Sequence, residues 1–212
     1  MYKKSDARAG EECYNLRVRI IELRDSMKKW LAVMMMAILM LVVAGCGSDN
    51  ALDDYSFGHK VIRQGASEVT FALPFDIGVQ PNMTKNALGY PVVTYMGGDN
   101  NFLVVIEAVS PRQGQQLPTA AAYTNELKAL YEKGLGSSAD WTVKNVALDG
   151  VPAETVNGTL TMQNKKFSFF QYTFVSNGVL WNITYQYPAN STLGAQIADF
   201  VIGKIQITKK EG

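Results

Sequence analysis

Alternation of apolar and polar positions dominates the chain from residue 66 onward, and it predicts strands. Val69-Thr70-Phe71-Ala72-Leu73 is a short strand stopped by Pro74. Tyr90 to Met96 and Phe102 to Val109 are β-branched and aromatic runs, and Gly97-Gly98-Asp99-Asn100-Asn101 between them has the chemistry of a hairpin turn. The period then changes. Tyr123, Leu127, Leu130 and Tyr131 form one stripe of a helix over 118–133, with Pro118 and Thr119 at its start and Gly134 and Gly136 at its stop. Trp141 to Leu148 resumes as a strand and turns at Asp149-Gly150. Residues 153–162 set Val156, Leu160 and Met162 on one face, against Thr155, Asn157, Thr159 and Thr161 on the other, the pattern of a half-exposed strand. After a turn at Asn164-Lys165, Phe167 to Val175 is aromatic on both faces, which predicts a central strand covered on both sides. Ser176-Asn177-Gly178 turns into a last long alternation, Val179, Trp181, Ile183, Tyr185 and Tyr187 against Leu180, Asn182, Thr184 and Gln186. A second helix is expected over 193–204, with Thr192 as N-cap and Leu193, Ile197, Phe200 and Val201 inward, and Ile205-Gln206-Ile207 as a closing strand. Strand runs joined by hairpins, interrupted by two helices, predict an α+β class with a single antiparallel sheet.

The hydrophobic pattern of residues 27–46 is of another kind. Met27-Lys28-Lys29 is a short positive region, Trp30 to Val43 is continuously apolar, and small residues precede Cys46. This is the plan of a secretory signal peptide, and the apolar stretch is short for a spanning helix. The ending Val43-Ala44-Gly45-Cys46 resembles the lipobox of bacterial lipoprotein precursors. That resemblance implies cleavage between Gly45 and Cys46 and a lipidated Cys46 as the new N-terminus. Residues 1–26 are mostly polar, with no apolar period, and signal peptides begin at their charged region, so translation is expected to start at Met27. The organisation read from the sequence is therefore a mis-set start or polar extension over 1–26, a lipoprotein signal peptide over 27–45, a lipidated tether over 46–54 and one domain over 55–212.

Composition narrows the function classes. The chain is 47% hydrophobic and 18% charged, with a net charge of +1, which excludes disorder and the basic surface of a phosphate-binding nucleic-acid protein. Two cysteines and one histidine exclude a disulfide-dense scaffold and leave little for a zinc site. If Cys46 is the anchor, no disulfide can form within the mature domain.

Phe71-Ala72-Leu73-Pro74, the mid-chain helix, Leu148-Asp149-Gly150-Val151-Pro152-Ala153 leading into the meander, and the closing Ile197-Ala198-Asp199-Phe200-Val201 helix with Ile205 together resemble the PsbP-like superfamily, which includes bacterial envelope lipoproteins of the DcrB and LpqN type. The resemblance covers roughly residues 66–208. It implies an antiparallel sheet with helices on both sides and a mostly non-enzymatic accessory or binding role, with no shared catalytic motif.

Candidate chemistry is sparse. His59 has no recognisable nucleophile or carboxylate beside it in sequence and reads as an exposed edge histidine. Asp99, Asn100 and Asn101 offer oxygens for calcium, but a calcium loop spaces several carboxylates, so turn chemistry is expected there. Asp53-Asp54 read as solvated acids on the tether. Glu107 interrupts the apolar run Leu103 to Val109 and shares a face with Leu103, Val105 and Val109. It is either a shifted catalytic acid or, more ordinarily, a strand-end acid paired with Lys or Arg. The sequons at Asn82, Asn157, Asn182 and Asn190 read as chance in a bacterial lipoprotein, and the aromatics between Phe167 and Tyr187 read as core.

No P-loop, nucleophile elbow or dinucleotide fingerprint is present. The functional expectation is a lipid-anchored, non-enzymatic envelope module, with no cofactor, no metal and no nucleic acid, that binds a protein partner or small ligand. It would sit on the outer side of the cytoplasmic membrane, or on the outer membrane where one exists, and Gly47 after the anchor favours the latter. The alternative is an envelope hydrolase using carboxylates in a sheet-helix cleft.

Overall fold

In the computed structural model, the described residues are Leu52, 55–135, 139–162 and 164–208. A hairpin of β1 (Gly58–Gln64) and β2 (Ser67–Leu73) turns at Gly65-Ala66, where Gly65 takes φ +58°. There follow β3 (Gly78–Val79), β4 (Val92–Gly98), β5 (Leu103–Val109) and helix α1 (Ala120–Leu135). A meander of β6 (Ala139–Leu148), β7 (Val151–Met162), β8 (Lys165–Ser176) and β9 (Val179–Pro188) leads to helix α2 (Thr192–Val201) and β10 (Gln206–Thr208). These residues all belong to one compact unit.

The strands form two sheets, not the one expected. A seven-stranded antiparallel sheet has the order β3-β4-β5-β9-β8-β7-β6, and a three-stranded sheet has the order β1-β2-β10. The second sheet escaped sequence reading because β1 reads Gly-His-Lys-Val-Ile-Arg-Gln, which has no clean alternation, and only Ile62 in it is buried. It is fixed across the core: the Trp181 indole N–H donates to the Ser67 hydroxyl at 2.9 Å, and both residues are buried.

Each face of the large sheet is covered differently. One face packs Val104, Ile106, Ala108, Phe174, Trp181, Ile183 and Tyr185 against Val69 and Phe71 of the small sheet and Ile197, Ala198 and Val201 of α2. Burying side chains of this size contributes roughly 1.5–3 kcal/mol each. The other face lies under α1, whose Tyr123 and Leu127 pack with Tyr90, Val92, Val109 and Leu180. Helices thus flank the sheet on both sides, in an α+β fold. β8 lies inside the sheet and is buried on both faces, as its aromatic pattern predicted.

Two caps refine the helix boundaries. Thr119 holds the start of α1, accepting from Ala122 N at 3.2 Å. For α2 the cap is Ser191, not Thr192: its Oγ accepts from Gly194 N at 2.9 Å, while Thr192 is already helical. Gly134 lies inside α1, which continues to Leu135; Gly136 lies outside the described residues.

Candidate functional site

Antiparallel register places one polar row across six strands, on the face under α1. Thr94 pairs with Glu107, Glu107 with Asn182, Asn182 with Thr173, Thr173 with Glu154, and Glu154 with Asn145. Because side chains alternate with period two, directly opposed residues share a face. Thr94, Glu107, Asn182 and Thr173 are buried, and the row becomes more exposed towards Asn145 at the β6 edge.

Glu107 is the charged member of the buried part. Only 3% of it is exposed, mid-strand on β5. The strand-end acid paired with a Lys or Arg is therefore corrected: its partners are amide and hydroxyl donors. Asn182 Nδ2 donates to Oε2 at 2.9 Å, and the Tyr123 hydroxyl donates to the same oxygen at 3.2 Å. Asn86 Nδ2 donates in turn to the Tyr123 oxygen at 2.7 Å, and Asn86 Oδ1 is fixed by the backbone N–H groups of Leu88 and Tyr90. From the other side, Gln171 Nε2 donates to Thr173 Oγ1 and Thr173 Oγ1 donates to Asn182 Oδ1. Two chains of donors therefore converge on one carboxylate oxygen.

The electrostatics follow from the enclosure. Burial raises the Glu107 pKa above the usual glutamate value, and the bonds from Asn182, Tyr123 and Asn86 pull only partly in the other direction. The Tyr123 hydroxyl is pushed well above the ordinary tyrosine range, by burial first and by the neighbouring Glu107 second. A carboxylate used in this way orders α1 against β5 and β9. It offers little to a reacting group, because its surroundings are protein on every described side.

Geometry also bears on paired-acid chemistry. The next acid along the row is Glu154, reached across β9 and β8. Three inter-strand steps put the two positions roughly 14 Å apart at ordinary strand spacing. Glycosidase acid pairs stand about 5–10 Å apart. Among the described residues, no group of three or more His, Cys, Asp or Glu is placed to hold a metal ion.

The other sequence-level candidates separate cleanly. His59 is exposed on β1 opposite Ala72. Asp99 is a turn residue: Oδ1 accepts from the backbone N–H groups of Asn101 and Phe102, and Oδ2 accepts from the Tyr55 hydroxyl at 2.5 Å. Asn182 is buried within its sequon, while Asn82, Asn157 and Asn190 are exposed. Phe167, Phe169, Tyr172, Phe174, Trp181 and Tyr185 are core residues, as expected. Gly45, Cys46, Asp53 and Asp54 lie outside the described residues, as do the proposed boundaries within 1–46. Among the described residues, no helix is long and apolar enough to cross a membrane.

A concavity of the surface lies elsewhere among the described residues. A groove of about 750 Å³ runs between the β7–β8 hairpin and the loop from β9 to α2, lined by Thr159, Asn164, Lys166, Ser168, Pro188 and Asn190 among others. Pro188 is six residues along β9 from Asn182, roughly 20 Å at the rise of a strand, so the groove and Glu107 are separate features. Sequence reading missed both the groove and the convergence on Glu107. The turn at Asn177-Gly178 could have given the Thr173–Asn182 pairing, since a two-residue hairpin fixes register. The pairing of β5 with β9 joins segments far apart in sequence and left no local signal.

No family model matches the chain, and no curated protein matches it in sequence. Solved structures do resemble it. The cyanobacterial PsbP protein CyanoP from Synechocystis sp. PCC 6803 aligns at a TM-score of 0.51 and 11% identity, covering 79% of this chain and 99% of that one. LpqN of Mycobacterium tuberculosis, described as involved in cell envelope biogenesis, aligns at a TM-score of 0.39 and 12% identity, covering 74% of this chain and 94% of that one. The likeness to CyanoP is one of fold.

Proposed function

We propose that this PsbP-like chain is a lipid-anchored, non-enzymatic module of the bacterial cell envelope that binds a protein partner or a small polar ligand. The observation that carries the reading is the fate of Glu107. The acid that interrupts an apolar strand is buried, with Oε2 held by an internal donor network and Oε1 without a hydrogen-bond partner among the described residues, and the next acid in its row stands too far away for paired-carboxylate hydrolysis. The groove at the β7–β8 hairpin is the candidate binding surface. Its volume falls within the range of ligand sites, and its lining brings together amide, hydroxyl and ammonium groups. The anchor rests on the lipobox-like Val43-Ala44-Gly45-Cys46 and the charged and apolar regions before it.

Two measurements test the proposal. Mass spectrometry of the protein from its native membrane should find a diacylglyceryl group on Cys46 as the first residue, and Cys46→Ala should abolish membrane retention. Unmodified Cys46, or full retention of the alanine variant, would reject the anchor. Purified protein should leave ester and glycan substrates intact. Cleavage that is lost in Glu107→Gln or Glu154→Gln, with the fold retained, would reject the non-enzymatic reading in favour of a hydrolase.

A further inference from the structure

Among the described residues the two sheets have four edges, and three of them are blunted. β3 offers two residues and β10 three. β1 is longer, but it carries charged side chains held in ion pairs, Lys60 with Asp76 and Arg63 with Glu68. Short or charged edges resist pairing with another chain. The fourth edge, β6, is ten residues long and, among the described residues, pairs only with β7. Thr142 to Ala147 are exposed along it, including Val143 at 38% and Val146 at 37%. A long edge with exposed valines is a template for a further strand.

The sequence of β6 selects the strand that fits. Ala-Asp-Trp-Thr-Val-Lys-Asn-Val-Ala-Leu holds one acid, Asp140, and one base, Lys144, two positions either side of Thr142. If two copies of β6 run antiparallel about Thr142, Asp140 of each copy stands opposite Lys144 of the other. The same register sets Trp141 opposite Val143, an aromatic and β-branched pair of the type that stabilises sheets. Trp141 is already held for such a role, stacked on Tyr131 at 5.4 Å between ring centres and edge-on to Phe169 at 4.8 Å. Any other antiparallel self-pairing leaves the acid and base of β6 unmatched. We propose that β6 is a homodimerisation edge, joining two copies of the chain through an antiparallel β6–β6 ladder centred on Thr142, so that the large sheet continues from one copy into the next.

The register gives the test. Thr142 sits on the two-fold axis, where directly opposed Cα atoms lie about 4.5–5.5 Å apart, within disulfide reach. In the full-length chain in its native membrane, Thr142→Cys should form a disulfide-linked homodimer under mild oxidation. The parent chain and Val61→Cys, an exposed position on β1, should not. In detergent solution, Asp140→Lys and Lys144→Asp should each weaken dimerisation about tenfold by sedimentation, because each replaces two attractive cross-strand pairs by two repulsive ones. The double exchange Asp140→Lys with Lys144→Asp should restore it. Circular dichroism checks that each variant is folded. A parent chain that sediments as a monomer at all workable concentrations overturns the proposal. So does a Thr142→Cys cross-link no faster than that of Val61→Cys, one formed only to a different protein, or a double exchange that fails to rescue.

Discussion

The Tyr123 hydroxyl donates to Glu107 Oε2 at 3.2 Å, and through that contact α1 is tied to the centre of the large sheet. Both groups are buried, which raises both pKa values; Glu107 raises that of Tyr123 further, while the bond from Tyr123 lowers that of Glu107. Apolar packing under α1 includes the cluster around Tyr90, Tyr123, Leu127 and Leu180 and the stack of Tyr131 on Trp141. The polar row adds directed contacts to that packing, at a cost in desolvation that a wholly apolar seam would not carry.

Glu107→Gln tests that cost through pH. The folded-state pKa is raised above the ordinary glutamate value of 4.5. The folded protein therefore holds this proton more tightly than the unfolded chain. The stability this confers is full below that ordinary value and is lost as pH rises through the raised one. Glutamine, always neutral, removes the dependence. Urea unfolding should find the two proteins within about 0.5 kcal/mol of each other at acidic pH. By pH 8 the variant should be the more stable of the two. A wild-type advantage that grows with pH would show that the network stabilises the charged form outright.

Tyr123→Phe keeps the ring that meets Tyr90 at 5.8 Å and deletes the hydroxyl. Glu107 loses a donor, and Asn86 Nδ2 loses its buried acceptor. The expected loss is about 1–3 kcal/mol, the cost of leaving buried polar groups unpaired. Part of that loss should disappear when Glu107 is already glutamine, giving a coupling of about 0.5–3 kcal/mol in a double-mutant cycle. Strict additivity would mean that the two side chains do not act on each other.

What the sequence made legible was local. Two-residue turns, aromatic alternation and the apolar stripe of α1 placed most strands and both helices close to their observed bounds. Two strands of the small sheet were legible, at 69–73 and 205–207, but β1 and their pairing apart from the large sheet were not. β1 is mostly polar, and β10 is three residues whose partner, β2, lies far away in the chain. Glu107 was visible as an anomaly, but its meaning was not. Its partners come from β9, from α1 and from the turn at Asn86, and Tyr123 read only as one member of an apolar stripe. The β6 edge was likewise hidden, since nothing in a strand's own pattern says whether a neighbour lies on both of its sides.

The start of α2 separates two adjacent hydroxyls. Ser191→Ala removes the oxygen that accepts from Gly194 N and should cost about 1 kcal/mol. Thr192→Ala lies one residue inside the helix, caps nothing, and exchanges a β-branched residue for a better helix former. It should change stability by less than about 0.5 kcal/mol. Thermal melts of the two variants decide between Ser191 and Thr192 as the cap, and equal losses would leave the observed cap without energetic weight.

Gly194→Ala puts helix propensity against packing. In an exposed helix the change would gain about 1 kcal/mol. Here a Cβ would stand 2.6 Å from the Asn101 carbonyl oxygen, 2.8 Å from Tyr187 Cβ and 3.1 Å from the capping Ser191 Oγ. The first two neighbours are a backbone atom and the root of a side chain, so no rotamer change relieves them. Either α2 lifts from β9 or the turn between β4 and β5 shifts. Overpacking of this kind costs about 1–3 kcal/mol, and two backbone-rooted contacts under 3 Å place it above the helix gain. The variant should therefore be less stable by up to about 2 kcal/mol. The Asn101 turn also holds Tyr55, through Asn101 Nδ2 at 3.2 Å. Hydrogen exchange should accordingly quicken at the start of α2 and at Asn101 and Phe102 together. A melting temperature equal to or above that of the parent would mean that the contact between α2 and the β4–β5 turn yields freely, and that this end of the sheet is looser than its close approach implies.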